Sequence, residues 1–496
     1  MASVTLGYEK QLWEMADKLR NQIEPSEYKH VVLGLIFLKY ITDSFNERYE
    51  EVKKEYPGLE EDRDAYTAAN VFFVPKEARW DYIKKNAKQP IIGNIIDNAM
   101  VLIEKENPPL KNVLPKNYGR ADLDKIMLGE LVDLFSFDVG GKEARAKDVL
   151  GRVYEYFLKN FGTGEGQFYT PPTMVDLLVN MIEPYKGRVY DPCCGSGGMF
   201  VQSAKFVEEH QGKLGDISVY GQESIPTTWR LAKMNLAIRG IDANLGSKNA
   251  DTFTEDLHKN LKADFILANP PFNVKDWGQE KLLEDPRWEW GIPPAGNANY
   301  AWISHIINKL SANKGVAGFV LANGALSTMG KEEFEIRKNI LEAGLVDCIV
   351  AMPSQLFYDV SIPVSLWFIS KNKEKRKDKV LFIDARKMGY METRRHRELT
   401  KEEVKKIYTT YHNWRDNNNY QNEDGFSKSA TLEEIRRHNY ILTPGRYVGL
   451  EEVKDDGIPF EEKMEELVSE LDELFEESKK LKEEIKENLR SIGYEL

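Results

Sequence analysis

Asn269, Pro270, Pro271 and Phe272 follow a short apolar run, 265–268, which the pattern predicts to be a buried strand. An amino group on a planar ring is a poor nucleophile because its lone pair is delocalised into the ring. The Asn269 amide oxygen and the Pro270 carbonyl could each accept one of its N–H groups, with the prolines fixing the backbone. Phe272 could stack on a base that has left its helix. The tetrapeptide predicts methyl transfer to such an amine, although a plain turn ending a strand explains it equally well in isolation.

A glycine-rich turn lies upstream, between a predicted strand and a helical pattern. Glycines let a ligand approach the backbone, and the next helix offers free N–H groups. The Gly-Lys-Ser/Thr of a phosphate loop is absent, and an acid, Asp191, precedes the glycines, unlike a dinucleotide fingerprint. The expected ligand therefore carries a positive group, such as the α-amino group of a methionine moiety. The turn itself supplies Gly195, Ser196, Gly197 and Gly198.

Two further acids follow the next predicted strands. Glu223 ends the strand 217–222, 32 residues after Asp191, where an acid commonly binds ribose hydroxyls. Asp251 could face an adenine ring, but a solvated loop carboxylate explains it equally well. The loop 164–170 and the prolines after it predict either a helix start with core aromatics or a lid over the ligand.

These motifs, in this order, resemble the γ group of S-adenosylmethionine-dependent DNA amino-methyltransferases, in which Asn at the first catalytic position implies adenine N6. The chain resembles in particular the modification (M) subunit of type I restriction-modification systems. Residues 11–20 and 28–40 look like that subunit's N-terminal helices, and 150–158 like its entry into the catalytic domain. The third motif, which contains Asp251, is a loose match. The family's cofactor contacts fall on Gln167, Phe168, Tyr169, Thr170, Pro171, Pro172, Ser196, Gly197, Gly198 and Glu223.

The resemblance implies a catalytic subunit that uses S-adenosyl-L-methionine and methylates a flipped adenine in double-stranded DNA. It also implies a separate specificity (S) subunit that chooses the site, two copies of this chain per S subunit, and an association with a restriction (R) subunit. Two alternatives stay open at this point. One is an Asn-Pro-Pro-aromatic methyltransferase acting on ribosomal RNA guanine or protein glutamine, and the other is a non-catalytic scaffold that holds DNA.

Charge and cysteine content set further bounds. With 68 basic and 80 acidic residues the formal charge is −12, whereas DNA binding requires basic surface, so basic residues are clustered or a partner supplies DNA contacts. The three cysteines lack Cys-x-x-Cys spacing, so we expect neither zinc nor any other metal site, and a reducing cytoplasm. The apolar stretch 30–41 is too short to span a membrane.

The elements that position these motifs predict an α/β protein of four parts. Residues 1–150 form a helical domain, and 151–385 a Rossmann-like methyltransferase domain with a parallel sheet covered by helices on both faces. A C-terminal extension, 386–454, precedes a coiled-coil-like helix, 455–496, for subunit assembly. Basic runs at 371–379 and 394–397 predict solvated loops or DNA contacts. The heptad seam consists of Phe460, Met464, Leu467, Leu471, Leu474, Ser478, Leu481 and Ile485.

Overall fold

A helical region forms the first part of the chain. The computed structural model describes residues 25–69, 71–135, 141, 170–357, 362–373, 376–394, 396–450 and 460–491, without the side chains of 25–30 and of parts of the last helix. Residues 31–42 of the first helix are all buried. Asp124 caps the fifth helix by accepting from the N–H groups of Ile126 and Met127. The helices are α1 (Pro25–Glu55), α2 (Asp64–Thr67), α3 (Trp80–Lys85), α4 (Ile92–Glu106) and α5 (Lys125–Leu134).

A nine-stranded sheet follows, in the order β11-β8-β6-β7-β5-β4-β1-β2-β3. Most neighbours are parallel, but β7 is antiparallel to both β5 and β6, and β11 is antiparallel to β8. The sheet's strands are β1 (Gly187–Asp191), β2 (Ile217–Gly221), β3 (Ala243–Asn244), β4 (Phe265–Ala268), β5 (Val316–Ala322), β6 (Val346–Ala351), β7 (Val364–Ser370), β8 (Lys379–Asp384) and β11 (Ser427–Thr431). The remaining pair, β9 (Tyr390–Met391) and β10 (Arg397–Glu398), forms a separate antiparallel ribbon.

The predicted α/β sheet is confirmed, but the expectation of a wholly parallel sheet was wrong. Parallel neighbours are usually joined by a crossover helix, whereas the described part of the connection 352–363 between β6 and β7 contains no helix. The chain therefore turns back antiparallel. The segment 371–379 joins β7 to β8, which are not neighbours in the sheet, because β6 lies between them.

Helices cover both faces of the sheet. Alternate residues of β7 enter different cores: Leu366 and Phe368 join one, and Trp367 and Ile369 the other. Both faces are apolar, which explains why the central strands are unbroken hydrophobic runs. The helices are α6 (Pro172–Ile182), α7 (Gly198–Glu209), α8 (Pro226–Ala237), α9 (Asn299–Lys309), α10 (Gly324–Ser327), α11 (Lys331–Glu342), α12 (Lys401–Arg415) and α13 (Leu432–Arg437).

The helical region has its own core, to which α8 contributes Leu231 and Met234. The Tyr40 hydroxyl also donates to the carbonyl oxygen of Ile238, just after α8, at 3.1 Å. The first 449 residues form one compact unit, and 450–496 form a second.

The described residues of the second unit after Leu450 form one long helix, α14 (Phe460–Ser491). Most of its described side chains are exposed, including apolar ones. In the part of the chain that the structure covers, no helix combines the length and apolar character needed to cross a membrane. The exposed apolar residues of α14 are Met464, Val468, Leu471, Leu474, Phe475, Leu481 and Ile485, each 42–57% accessible.

Candidate active site

Three predicted site residues lie at one edge of the sheet. Asp191 is the last residue of β1, Glu223 comes two residues after β2, and Asn269 directly follows β4. β1 lies between β2 and β4 and is parallel to both. The carboxyl ends of parallel strands meet at the same edge, where open α/β sheets bind their ligands. We call this the catalytic edge.

The glycine turn presents open space at this edge. Gly195 and Gly197 have positive φ angles of 54° and 84°, which L side chains rarely adopt. A Cβ atom added to Gly195 or Gly198 would meet no atom of the described residues within 4 Å, so a ligand can approach the backbone there. The Ser196 carbonyl accepts from the Asn235 side chain of α8 at 2.8 Å, and this hydrogen bond holds the turn in place.

Two carboxylates flank this space. Asp191 is 2% exposed and accepts from the Cys193 N–H at 3.0 Å, while Glu223 accepts from the N–H groups of Gly195 at 3.1 Å and Ile225 at 2.8 Å. Burial raises the pKa of Asp191 to about 7 and also raises the pKa of Glu223. Neither forms an ion pair with a cation of the described residues, which suits a ligand that brings a positive charge and hydroxyl groups.

Asp251 lies beside Glu223, since the Ala250 N–H donates to the Glu223 carbonyl at 3.0 Å. Its side chain is exposed, and Oδ1 accepts from the N–H groups of Phe253 at 3.1 Å and Thr254 at 2.8 Å. The carboxylate therefore closes a turn in the protein. Its contact with an adenine ring stays a prediction.

The predicted catalytic tetrapeptide, Asn269–Phe272, holds a buried acceptor. Asn269 Nδ2 donates to Thr170 Oγ1 at 2.9 Å, so Thr170 contacts the catalytic turn directly. Asn269 Oδ1 is buried and has no hydrogen-bond partner among the described residues. Pro270 is buried, and the half-buried Phe272 ring meets the Phe357 ring nearly perpendicularly, with centroids 6.0 Å apart.

The residues around Thr170 are described only in part. Pro171 and Pro172 are the N-cap and first residue of α6, which confirms the predicted helix start. Gln167, Phe168 and Tyr169 lie outside the described residues, so their cofactor contacts stay a prediction.

Asn299 was missed by the sequence reasoning. Asn273, directly after Phe272, has a left-handed φ of 56°. Its N–H donates to Asn299 Oδ1 at 3.0 Å, and Asn299 Nδ2 donates back to Asn273 Oδ1 at 2.9 Å. This reciprocal pair fixes the chain just beyond the tetrapeptide. The signal in the sequence was Asn273 rather than Asn299, because asparagine is enriched among residues that adopt positive φ.

Two of the three tryptophans of the loop 273–299 have a structural role. Trp277 and Trp288 are buried in a small core with Phe253 and Trp302, so local packing rather than contact with a base explains both.

One group of described residues could share a metal ion: the side-chain ligand atoms of Glu392, His396 and Glu398 lie within 4.8 Å of one another. The expectation of no metal site stays a prediction.

Comparisons with known proteins agree with this geometry. Residues 145–456 match the N-6 DNA Methylase family, and 8–135 match the HsdM N-terminal domain. The type I restriction enzyme HindI methylase subunit of Haemophilus influenzae is 47% identical, with 85% of this chain and all of that protein aligned. The MjaIX methylase subunit of Methanocaldococcus jannaschii is 44% identical over 99% of this chain and 92% of its own length. The chain belongs to the methylase subunits of type I restriction enzymes.

A solved structure supports the same family. The type I methyltransferase subunit from Streptococcus thermophilus superposes with a TM-score of 0.75 at 26% identity, covering 89% of this chain and 99% of that one. As a type I methylase subunit, the chain is an adenine-specific DNA methyltransferase with S-adenosyl-L-methionine as its cofactor. It acts on DNA together with a specificity subunit. Neither an RNA or glutamine methyltransferase nor a scaffold role gains support.

Proposed function

We propose that Asp191, Glu223 and the glycine turn hold S-adenosylmethionine, and that the tetrapeptide Asn269–Phe272 presents N6 of a flipped adenine to it. The bound cofactor supplies an electrophilic methyl group. The observation that carries the proposal is Asn269 Oδ1, which is buried and has no hydrogen-bond partner among the described residues. A buried acceptor left unpaired costs about 1–3 kcal/mol, which an N–H of the incoming amine would offset.

Thr170 sets the direction of this acceptor. Its hydroxyl oxygen accepts from Asn269 Nδ2, so the amide oxygen must point the other way. The Pro270 carbonyl is the second acceptor. Two acceptors on one amino group localise the lone pair on nitrogen, and the proton can leave after methyl transfer, so no strong base and no cysteine nucleophile are required.

Phe272 provides the stacking surface for the flipped base. Phe357 supports its ring, and Asn299 holds the backbone immediately after it through Asn273. Base–aromatic stacking contributes about 1–3 kcal/mol per base.

The proposed assembly with other subunits rests on the acidic net charge of the chain and on the exposed apolar residues of α14. The exposed apolar residues of α14 pair with a helix of the specificity subunit, two copies of this chain flank each specificity subunit, and a restriction subunit joins the complex. The working compartment is the cytoplasm. The chain divides functionally into a helical domain (1–150), a catalytic domain (151–385), an extension (386–454) and an assembly helix (455–496).

Methyl transfer by the complex with the specificity subunit tests the proposal. Labelled methyl groups should appear as N6-methyladenine in DNA, and not in RNA or protein. Asn269→Ala should lower the rate at least ~10²–10³-fold, the usual effect of losing a preorganised hydrogen-bonding group, with cofactor affinity unchanged in calorimetry.

The matched control is Asn180→Ala, the same substitution in α6, where the amide donates within its own helix. That variant should keep the wild-type rate. Wild-type turnover in Asn269→Ala would contradict the proposed role of the tetrapeptide.

A further inference from the structure

Two basic segments stand out in an acidic chain. Residues 371–379 contain six Lys or Arg, and 394–397 contain three Arg and lie within a longer basic segment, 386–398. Sequence alone could not separate a solvated loop from a DNA contact for either. The fold places them at opposite edges of the sheet, because one precedes β8 and the other follows it.

The first segment has a structural role away from the catalytic edge. Lys373 is buried, donates to the Lys379 carbonyl at 2.8 Å and lies 3.8 Å from the buried Asp347 carboxylate. Arg376 lies 3.3 Å from the same carboxylate. Two of the basic side chains in this segment therefore pair with a buried carboxylate inside the protein.

The second segment lies at the catalytic edge. β6 and β8 are parallel to each other, and β6 runs in the same direction as β4 and β5. The β9–β10 ribbon and the turn between its strands, which we call the catalytic-edge hairpin, follow the carboxyl end of β8. The Arg397 N–H donates to the Gln355 carbonyl at 2.8 Å, and Phe357, two residues on, contacts Phe272. A short chain of contacts thus joins the hairpin to the catalytic tetrapeptide.

The strands of the hairpin are fixed at the end next to β8, whereas residues 392–394 of its turn are exposed. Arg397 Nη1 donates to the carbonyls of Met388 at 3.1 Å and Gly389 at 3.2 Å, and the Gly389 N–H donates to Glu403 at 2.7 Å. Arg394 in the turn is exposed and pairs with no acid of the described residues. Tyr390 on the neighbouring strand is 50% exposed.

We propose that the catalytic-edge hairpin binds the DNA phosphate backbone beside the target adenine, with Arg394 as a phosphate contact. This inference rests on the proposed function, which requires the duplex to lie against the catalytic edge. Charge complementarity selects DNA: in a chain with a formal charge of −12, an exposed arginine that pairs with no acid of the described residues lies at the edge where phosphates arrive. Because the strands of the hairpin are anchored to the protein, its turn can keep a fixed position against the duplex.

The test is the salt dependence of DNA binding by the complex with the specificity subunit. The probe is a 40-base-pair duplex carrying a site identified by sequencing methylated DNA, with chelator present. Each neutralised phosphate adds about 0.9 to the slope of log affinity against log salt. Arg394→Glu should lower that slope by about 1 and weaken binding roughly 8-fold at 0.1 M salt. Arg394→Gln should show the same slope change, and Arg394→Lys should restore the wild-type slope.

The control is Lys377→Glu, the reversal of an exposed charge at the opposite edge of the sheet. This variant should keep the wild-type DNA affinity and salt slope. If it lost as much affinity as Arg394→Glu, the effect would come from the net charge of the chain and not from a contact at the hairpin, and the proposal would be overturned. Wild-type slope in both Arg394→Glu and Arg394→Gln would also overturn it. If the Arg394 variants no longer co-purified with the specificity subunit, the hairpin would contact that subunit rather than DNA, and the proposal would likewise be overturned. Absence of adenine methylation by the wild-type complex would refute the proposed function itself.

Discussion

Lowering the pH should weaken binding of S-adenosylmethionine through Asp191. Burial raises the pKa of this carboxyl to about 7, so the cofactor-free protein holds its proton well above the usual range. The positive methionine end of the cofactor favours the carboxylate. The proton must therefore leave on binding, and affinity falls as the pH drops below about 7.

The magnitude follows from the raised pKa. The rise from 3.8 to about 7 corresponds to about 4 kcal/mol of extra cost for the buried charge. The ionised fraction is about three quarters at pH 7.5 and about 3% at pH 5.5, so the dissociation constant should rise roughly 25-fold between them. Folding of the cofactor-free chain shows the opposite trend: the contribution of Asp191 to stability is fully present below about pH 4 and is lost as the pH rises through 7.

Isothermal calorimetry from pH 5.5 to 7.5 measures this. The α-amino group of the ligand, with an ordinary pKa of about 7.7–8.0, stays more than about 60% protonated up to pH 7.5, so its own titration changes the affinity less than about twofold. Asp191→Asn should bind weakly and with little pH dependence, whereas Glu223→Gln should keep the dependence due to Asp191. A flat wild-type profile, or an unchanged profile in Asp191→Asn, would refute the reasoning.

Two further predictions concern the cofactor site and assembly. Glu223→Ala should raise the cofactor dissociation constant ~10- to 150-fold, as expected for lost charge-assisted hydrogen bonds, and Asp251→Ala should have a smaller effect because that carboxylate closes a protein turn. Equal effects in calorimetry would contradict this ranking. Deleting the residues after Gly457 should leave cofactor binding intact but abolish co-purification with the specificity subunit and site-specific methylation, since burial of each exposed Leu of α14 contributes ~1.5–3 kcal/mol. A truncated chain that still assembles would show that α14 packs on its own chain.

The sequence predicts the strands well because apolar runs are local. The direction of β7 is not local: it depends on how the connection 352–363 returns the chain to the sheet, and no residue type in Val364–Ser370 encodes it. The same limit explains Lys373. Its neighbours in the run look alike in sequence, and only the tertiary position of Asp347 determines which lysine is buried.

The candidate site divides in a similar way. Asp191, Glu223 and Asn269 were placed at one edge from strand ends and motif order alone. The residues that orient the catalytic turn were not predicted as its partners, because they are distant in sequence. Thr170 lies 99 residues before Asn269, and Asn299 lies 26 residues after Asn273. Such contacts form when the sheet assembles and leave no periodic pattern in the sequence.

The shared core of the helical region has a consequence for protein engineering. Leu231 and Met234 belong to α8, yet they pack into the core of residues 31–135. A chimera that exchanges only the helical region of this chain for a relative's would set a foreign core against these two side chains. The exchangeable unit therefore has to include the matching face of α8. Because α8 begins at Pro226, three residues after Glu223, a mismatch at that junction would also shift the cofactor site.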